Sequence, residues 1–107
     1  MRRGVEVKQV RFQVEYKMMS DGYTPLFIDG ESTPLDFWGF NNDIIRRLTR
    51  LCWLFDRQVN WDNPADERWQ MPEKERTEFN ALLPFVISEI ELFLGDAWEI
   101  ENVTRSL

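Results

Sequence analysis

The chain of 107 residues has no histidine and a single cysteine, Cys52. The first absence removes the side chain that most often moves protons near neutral pH and most often ligates metals. Ser-His and Cys-His nucleophile pairs and His-metal centres go with it. The second absence rules out an intramolecular disulfide and fits a reducing compartment. Glycine is sparse: five residues stand apart at positions 4, 22, 30, 39 and 95, so no glycine-rich phosphate loop exists. Long apolar runs are also missing. The longest, Ala81 to Ile87, is seven residues with Pro84 inside it, far short of the roughly 20 that a helical membrane span needs. The opening stretch MRRGVEVKQV mixes bases with polar residues and offers no apolar leader. These features predict a cytoplasmic protein with no membrane partner.

Positive charge is in deficit: 13 bases face 19 acids, for a net charge of -6. Nucleic-acid binding draws on a surplus of Lys and Arg, so nucleic acid is not an expected partner. The deficit is uneven. Residues 21–43 hold five acids and no base, and residues 61–107 hold eleven acids and four bases. Such a distribution attracts a basic macromolecule and speeds its encounter.

What is present is a soluble core. A length of 107 residues predicts a single domain, 1–107. Val10, Phe12, Val14, Tyr16 and Met18 alternate with polar residues and predict a half-buried strand over 9–18. Ser20-Asp21-Gly22 marks a turn, and 23–28 reads as the return strand. Asp29-Gly30-Glu31-Ser32 ends that hairpin, and Thr33-Pro34-Leu35-Asp36 has the form of a helix start. Asn42 is placed to cap a helix over 43–58, whose apolar stripe is Ile44, Leu48, Leu51, Cys52, Phe55 and Val59. A second helix over 73–94 carries Phe79, Leu82, Leu83, Val86, Ile90, Phe93 and Leu94. Pro84 should bend or divide it, and Gly95 should stop it. Residues 97–103 read as a last strand. The predicted fold is α+β, a two-layer sandwich with an antiparallel sheet of about three strands packed on two helices.

Chemistry finds few candidates. Asp62 and Asp66 form one carboxylate pair among many that chance supplies, and the chain has little material for a substrate cleft. Cys52 lies on an apolar stripe, where a thiol is inert. Asp29-x-Glu31 and Asp62…Asp66-Glu67 are the nearest approaches to a hard-cation site, and neither has the form of a calcium loop. No enzyme activity, metal or cofactor is expected. The Arg46, Arg50, Trp53, Arg57 face of the first helix has three readings. It is an anion patch, a solvated face with arginines over Trp53, or a counterpart to the chain's own acids.

Two segments combine indoles with acids: Asp36-Phe37-Trp38-Gly39-Phe40-Asn41-Asn42-Asp43 and Trp61-Asp62-Asn63-Pro64-Ala65-Asp66-Glu67-Arg68-Trp69. Tryptophan is enriched at interface hot spots, and carboxylates beside it suit a cationic target. Asp36, Trp38, Asp43, Trp61, Asp62, Asp66 and Glu67 are therefore the expected partner contacts. The ordinary alternative is that the rings plug the core and the acids sit in water.

In size, charge, absence of histidine and aromatic-acidic segments, the whole chain resembles small acidic bacterial immunity proteins. The resemblance implies tight binding and neutralisation of a basic toxin, possibly a nuclease, through an acidic, tryptophan-containing surface. A second expectation is a scaffold or regulatory subunit that forms a homodimer through the 73–94 helix. Ala81, Phe85, Ser88 and Leu92 there give that helix a second face. A small carboxylate-dependent enzyme is the third.

Overall fold

The computed structural model describes residues 6–107. Four strands and two helices run in the order β1 (Lys8–Phe12), β2 (Tyr23–Ile28), β3 (Glu31–Pro34), α1 (Asn42–Asp56), α2 (Glu73–Leu94), β4 (Trp98–Asn102). The fold is α+β: one sheet, in the order β3-β2-β1-β4, carries both helices on its apolar face. Val10, Phe12 and Leu26 from the sheet meet Ile44, Leu48, Leu51, Phe79, Val86 and Ile90 from the helices in one buried cluster.

The helices lie where the apolar stripes put them. Arg47 pairs with Glu89, Arg50 with Glu78 and Arg57 with Glu75. Rising numbers on α1 meet falling numbers on α2, so the helices are antiparallel. The N-terminus of α1 and the C-terminus of α2 share one end of the molecule. α2 is a single helix with Pro84 inside it; the proline does not divide it. Gly95 ends it with φ +70°, a backbone conformation that side chains resist.

Three details differ from expectation. The first strand stops at Phe12 and not at residue 18. The buried alternation persists through Val14, but the chain then leaves the sheet in a turn where Lys17 and Met19 take positive φ. Asp56 on α1 holds that turn: its Oδ1 accepts from the Lys17 N–H at 2.9 Å. Next, residues 31–34 form a fourth strand. Asp29 and Gly30, both at positive φ, make the two-residue turn that pairs Ile28 with Glu31. Thr33 therefore does not cap a helix. Its hydroxyl is buried, donates to the Leu26 carbonyl at 2.7 Å and accepts from the Trp38 indole at 2.6 Å. Residues 35–37 make only a 3-10 turn. Finally, the sheet is mixed and not wholly antiparallel. β4 runs parallel to β1, from Lys8 beside Trp98 to Phe12 beside Asn102. β3 occupies the other side of β2, and β4 joins the sheet on the free side of β1.

The cap of α1 is Asn41 and not Asn42: the Asn41 side-chain oxygen accepts from the Ile44 N–H at 2.9 Å. Replacing Asn41 with alanine should cost about 1 kcal/mol of stability. Asn42→Ala should cost a few tenths at most, because that side chain is exposed on the first helical turn. Urea denaturation midpoints compare the two, and equal shifts would place the cap elsewhere.

Candidate protein-docking surface

The seven expected contacts separate into two groups at opposite ends of α1. Asp36, Trp38 and Asp43 lie at its N-terminal end, and Trp61, Asp62, Asp66 and Glu67 lie beyond its C-terminal end. The 14 residues from Asp43 to Asp56 span about 20 Å of helix. The groups therefore do not form one site.

Much of each group is engaged internally. Trp38 is half-buried, donates to Thr33, and stacks near Phe40 with ring centres 5.9 Å apart. Asp43 pairs with Arg46 one helical turn later. Asp36 is exposed. In the other group, Trp61 is 43% exposed, donates to the Asp56 carbonyl at 2.9 Å and meets the edge of Tyr16. The Lys17 ammonium lies 4.7 Å from its ring centre. Asp66 accepts from the Arg68 N–H at 3.0 Å. Asp62 and Glu67 are exposed. The more exposed indoles, Trp53 and Trp61, border a cleft of about 310 Å³ with Lys17, Asp56 and Arg57. Their ring faces meet cations of the chain itself.

The basic face of α1 is similarly occupied. The Arg50 and Arg57 guanidinia lie 4.7 and 5.4 Å from the Trp53 ring centre, and both pair with glutamates of α2. The two-pronged hydrogen bond with Arg50 holds the Glu78 carboxyl below its ordinary range and raises Arg50 above its own. Two of the three readings of that face, arginines over Trp53 and pairing with the chain's own acids, hold together.

Cys52 is buried against the core, and desolvation, with a lesser contribution from Asp56, pushes its thiol up to about 12. At pH 8 only about one thiol in 10⁴ would be ionised. Ellman's reagent should therefore leave the native protein unmodified over minutes and label the urea-unfolded chain at once. Rapid labelling of the native chain would contradict this burial. Among the described residues, no group of three or more Cys, Asp or Glu is arranged to hold a metal ion. No helix among them is long and apolar enough to cross a membrane.

A larger concavity than that cleft lies elsewhere, at the end shared by Asp36 and Asp43. It has a volume of about 840 Å³ and runs between the C-terminal part of α2 and β4. Glu91, Asp96, Glu99 and Glu101 line it together with Leu92, Trp98 and Ile100. Leu92 is 86% exposed. Trp98 is half-buried and meets Trp38 with ring centres 5.0 Å apart, so the first aromatic-acidic segment supports the wall of this groove. Lys8 covers part of Trp98, its ammonium 5.3 Å from the ring centre. Gln9 donates to Glu99 at 2.8 Å.

The C-terminus of a helix carries the negative end of its dipole, where bases are favoured and acids are not. The last turn of α2 has no base, and Glu91 stands there instead. The groove residues were not among the sequence-derived contacts. The signal was present in the acid excess of residues 61–107 and in the alternation of Trp98-Glu99-Ile100-Glu101. What the sequence lacked was the long-range fact that β4 ends up on an open edge beside α2.

Comparison with protein-family models, with curated proteins and with solved structures finds no match.

Proposed function

We propose that this chain is a non-enzymatic binding protein that neutralises a basic protein partner, in the manner of an immunity protein. One observation supports this most directly: Glu91, Glu99 and Glu101 line one groove together with the exposed Leu92 and the half-buried Trp98 and Ile100, and Glu91 stands in the last turn of α2 against the preference of that helix terminus. A cationic partner would meet Glu91, Glu99 and Glu101 with opposite charge, and Leu92, Trp98 and Ile100 would supply apolar contact area. Such a complex forms fast at low salt and more slowly as salt screens it. In this reading the groove is the principal contact. Asp36 and Asp43 lie at the same end and would extend its field, whereas Trp61, Asp62, Asp66 and Glu67 form a separate acidic loop.

The test is titration of the basic protein recovered with this chain from its native cells. Glu99→Lys with Glu101→Lys should weaken binding at least 100-fold and flatten its salt dependence. Asp62→Lys, Asp66→Lys and Glu67→Lys together should do much less. Unchanged affinity in both variants would end the electrostatic reading.

A second reading, homodimerisation through α2, has its own support. Ala81, Phe85, Ser88 and Leu92, spaced four, three and four residues apart, are all exposed along one side of the helix. Sedimentation at micromolar concentration discriminates. A monomer that becomes a dimer only at millimolar concentration leaves the strip without that role.

A further inference from the structure

We propose that β4 is a docking edge: the partner contributes an extended, Lys- or Arg-bearing segment that pairs with β4 as a fifth strand. This rests on the groove reading above and adds how the groove is filled.

The hydrogen-bond parity of β4 sets which groups face outward. The Val103 N–H donates to the Phe12 carbonyl at 3.0 Å. Backbone groups alternate sides along a strand. Glu99 and Glu101 therefore direct their N–H and C=O groups toward β1, and Trp98 and Ile100 direct theirs away from the sheet. Among the described residues nothing pairs with that side of β4. The groove lies along this same edge. Four consecutive residues, 98 to 101, line it. Consecutive side chains of a strand point to opposite faces, so only a channel running along the edge can touch all four. Five residues of β4 give about 16 Å of template, enough for a four- to five-residue segment.

Charge selects the occupant. A second copy of β4 laid against the first would bring Glu99 and Glu101 of both chains onto neighbouring strands, where like charges repel. A segment with Lys or Arg on that face would meet opposite charge instead. Its alternate side chains would face Trp98, Ile100 and Leu92, which favours apolar residues there. The far edge of the sheet differs. β3 has four residues and ends in Pro34, which has no N–H to offer a partner strand.

The experiment uses the full chain labelled with ¹⁵N and three probes. One is an end-blocked octapeptide alternating Lys and Val, the second alternates Glu and Val, and the third is spermine, a polycation with no peptide backbone. The Lys-Val peptide should shift the amides of residues 91–101 and slow hydrogen exchange at Ile100 at least tenfold at saturation. The Glu-Val peptide should do neither. Spermine should shift signals near Glu99 and Glu101 without slowing exchange at Ile100. Shifts around the groove without slowed exchange under the Lys-Val peptide would overturn strand addition while leaving the acidic groove as a binding surface. Shifts confined to other regions, or none, would overturn both.

Discussion

Phe12→Ala is expected to remove about 3–5 kcal/mol of stability, the usual cost of emptying a fully enclosed phenylalanine site. A domain of this size holds about 5–15 kcal/mol in total, so the variant should be partly unfolded at 37 °C. The position explains the size of the effect. Phe12 is fully buried, and it is the last residue of β1 that pairs with both neighbours, Leu26 on β2 and Asn102 on β4. Its carbonyl accepts from the Val103 N–H, so collapse around the cavity would also disturb the point where β4 is anchored. Nearby strands cannot move inward without breaking these pairings, and a cavity that cannot close is the expensive kind. Tyr16→Ala is the control. It continues the same alternation in sequence, yet Tyr16 is 47% exposed, with its ring against those of Phe55 and Trp61. Its loss should cost about 1 kcal/mol. Urea denaturation of both variants measures the contrast. Equal costs would mean that β1 continues through Tyr16 in solution.

That contrast also shows what the sequence could and could not convey. The α+β fold and both helices were legible because a helical stripe is local. Ile44, Leu48, Leu51 and Cys52 repeat at helical spacing and are all buried. The end of α2 was legible because Gly95 takes a conformation that other residues avoid. The end of β1 was not. Alternation at Val14, Tyr16 and Met18 looks like strand, but Met18 is buried from within a turn, and Lys17 and Met19 adopt positive φ with no glycine to announce it. β3 was announced by Asp29-Gly30, a strong hairpin signal, but Thr33-Pro34 competed as a helix start. Thr33 met a stronger demand, because its hydroxyl satisfies the Leu26 carbonyl and the Trp38 indole in the core. The groove was the least legible feature. It exists because β4 returns to pair with a strand some 90 residues earlier, and no local pattern encodes such a pairing. Indoles were legible as residues but not as surfaces: Trp38 and Trp61 stood out by their acidic neighbours, while Trp98 was visible only as part of a strand.

Replacing Glu91, Glu99 and Glu101 together by glutamine should weaken the complex with a basic partner about 100-fold and at the same time stabilise the free protein. The two effects have one cause. In the unbound chain Glu91 stands beside the negative end of α2, with no base in that last helical turn to offset it, and Glu99 and Glu101 line the same groove. Neutralising an acid there recovers about 0.3–1 kcal/mol. A gain of that order is expected, or a rise in Tm of a few degrees for a domain of this length. Glutamine keeps an acceptor oxygen for the Gln9 donor that now binds Glu99, so that contact survives. Binding runs in the opposite direction, because each carboxylate removed takes with it an attraction for the partner's Lys or Arg and part of the steering field. A site held for function commonly costs the fold stability, and the opposed signs separate function from architecture. Calorimetric melting of the free variant and titration at two salt concentrations provide both readouts. If Tm falls together with affinity, the glutamates are structural supports of β4. If affinity holds while Tm rises, the groove is an unneeded liability of the fold and the partner binds elsewhere. Only a rising Tm with falling affinity fits a surface whose charges are held for a partner.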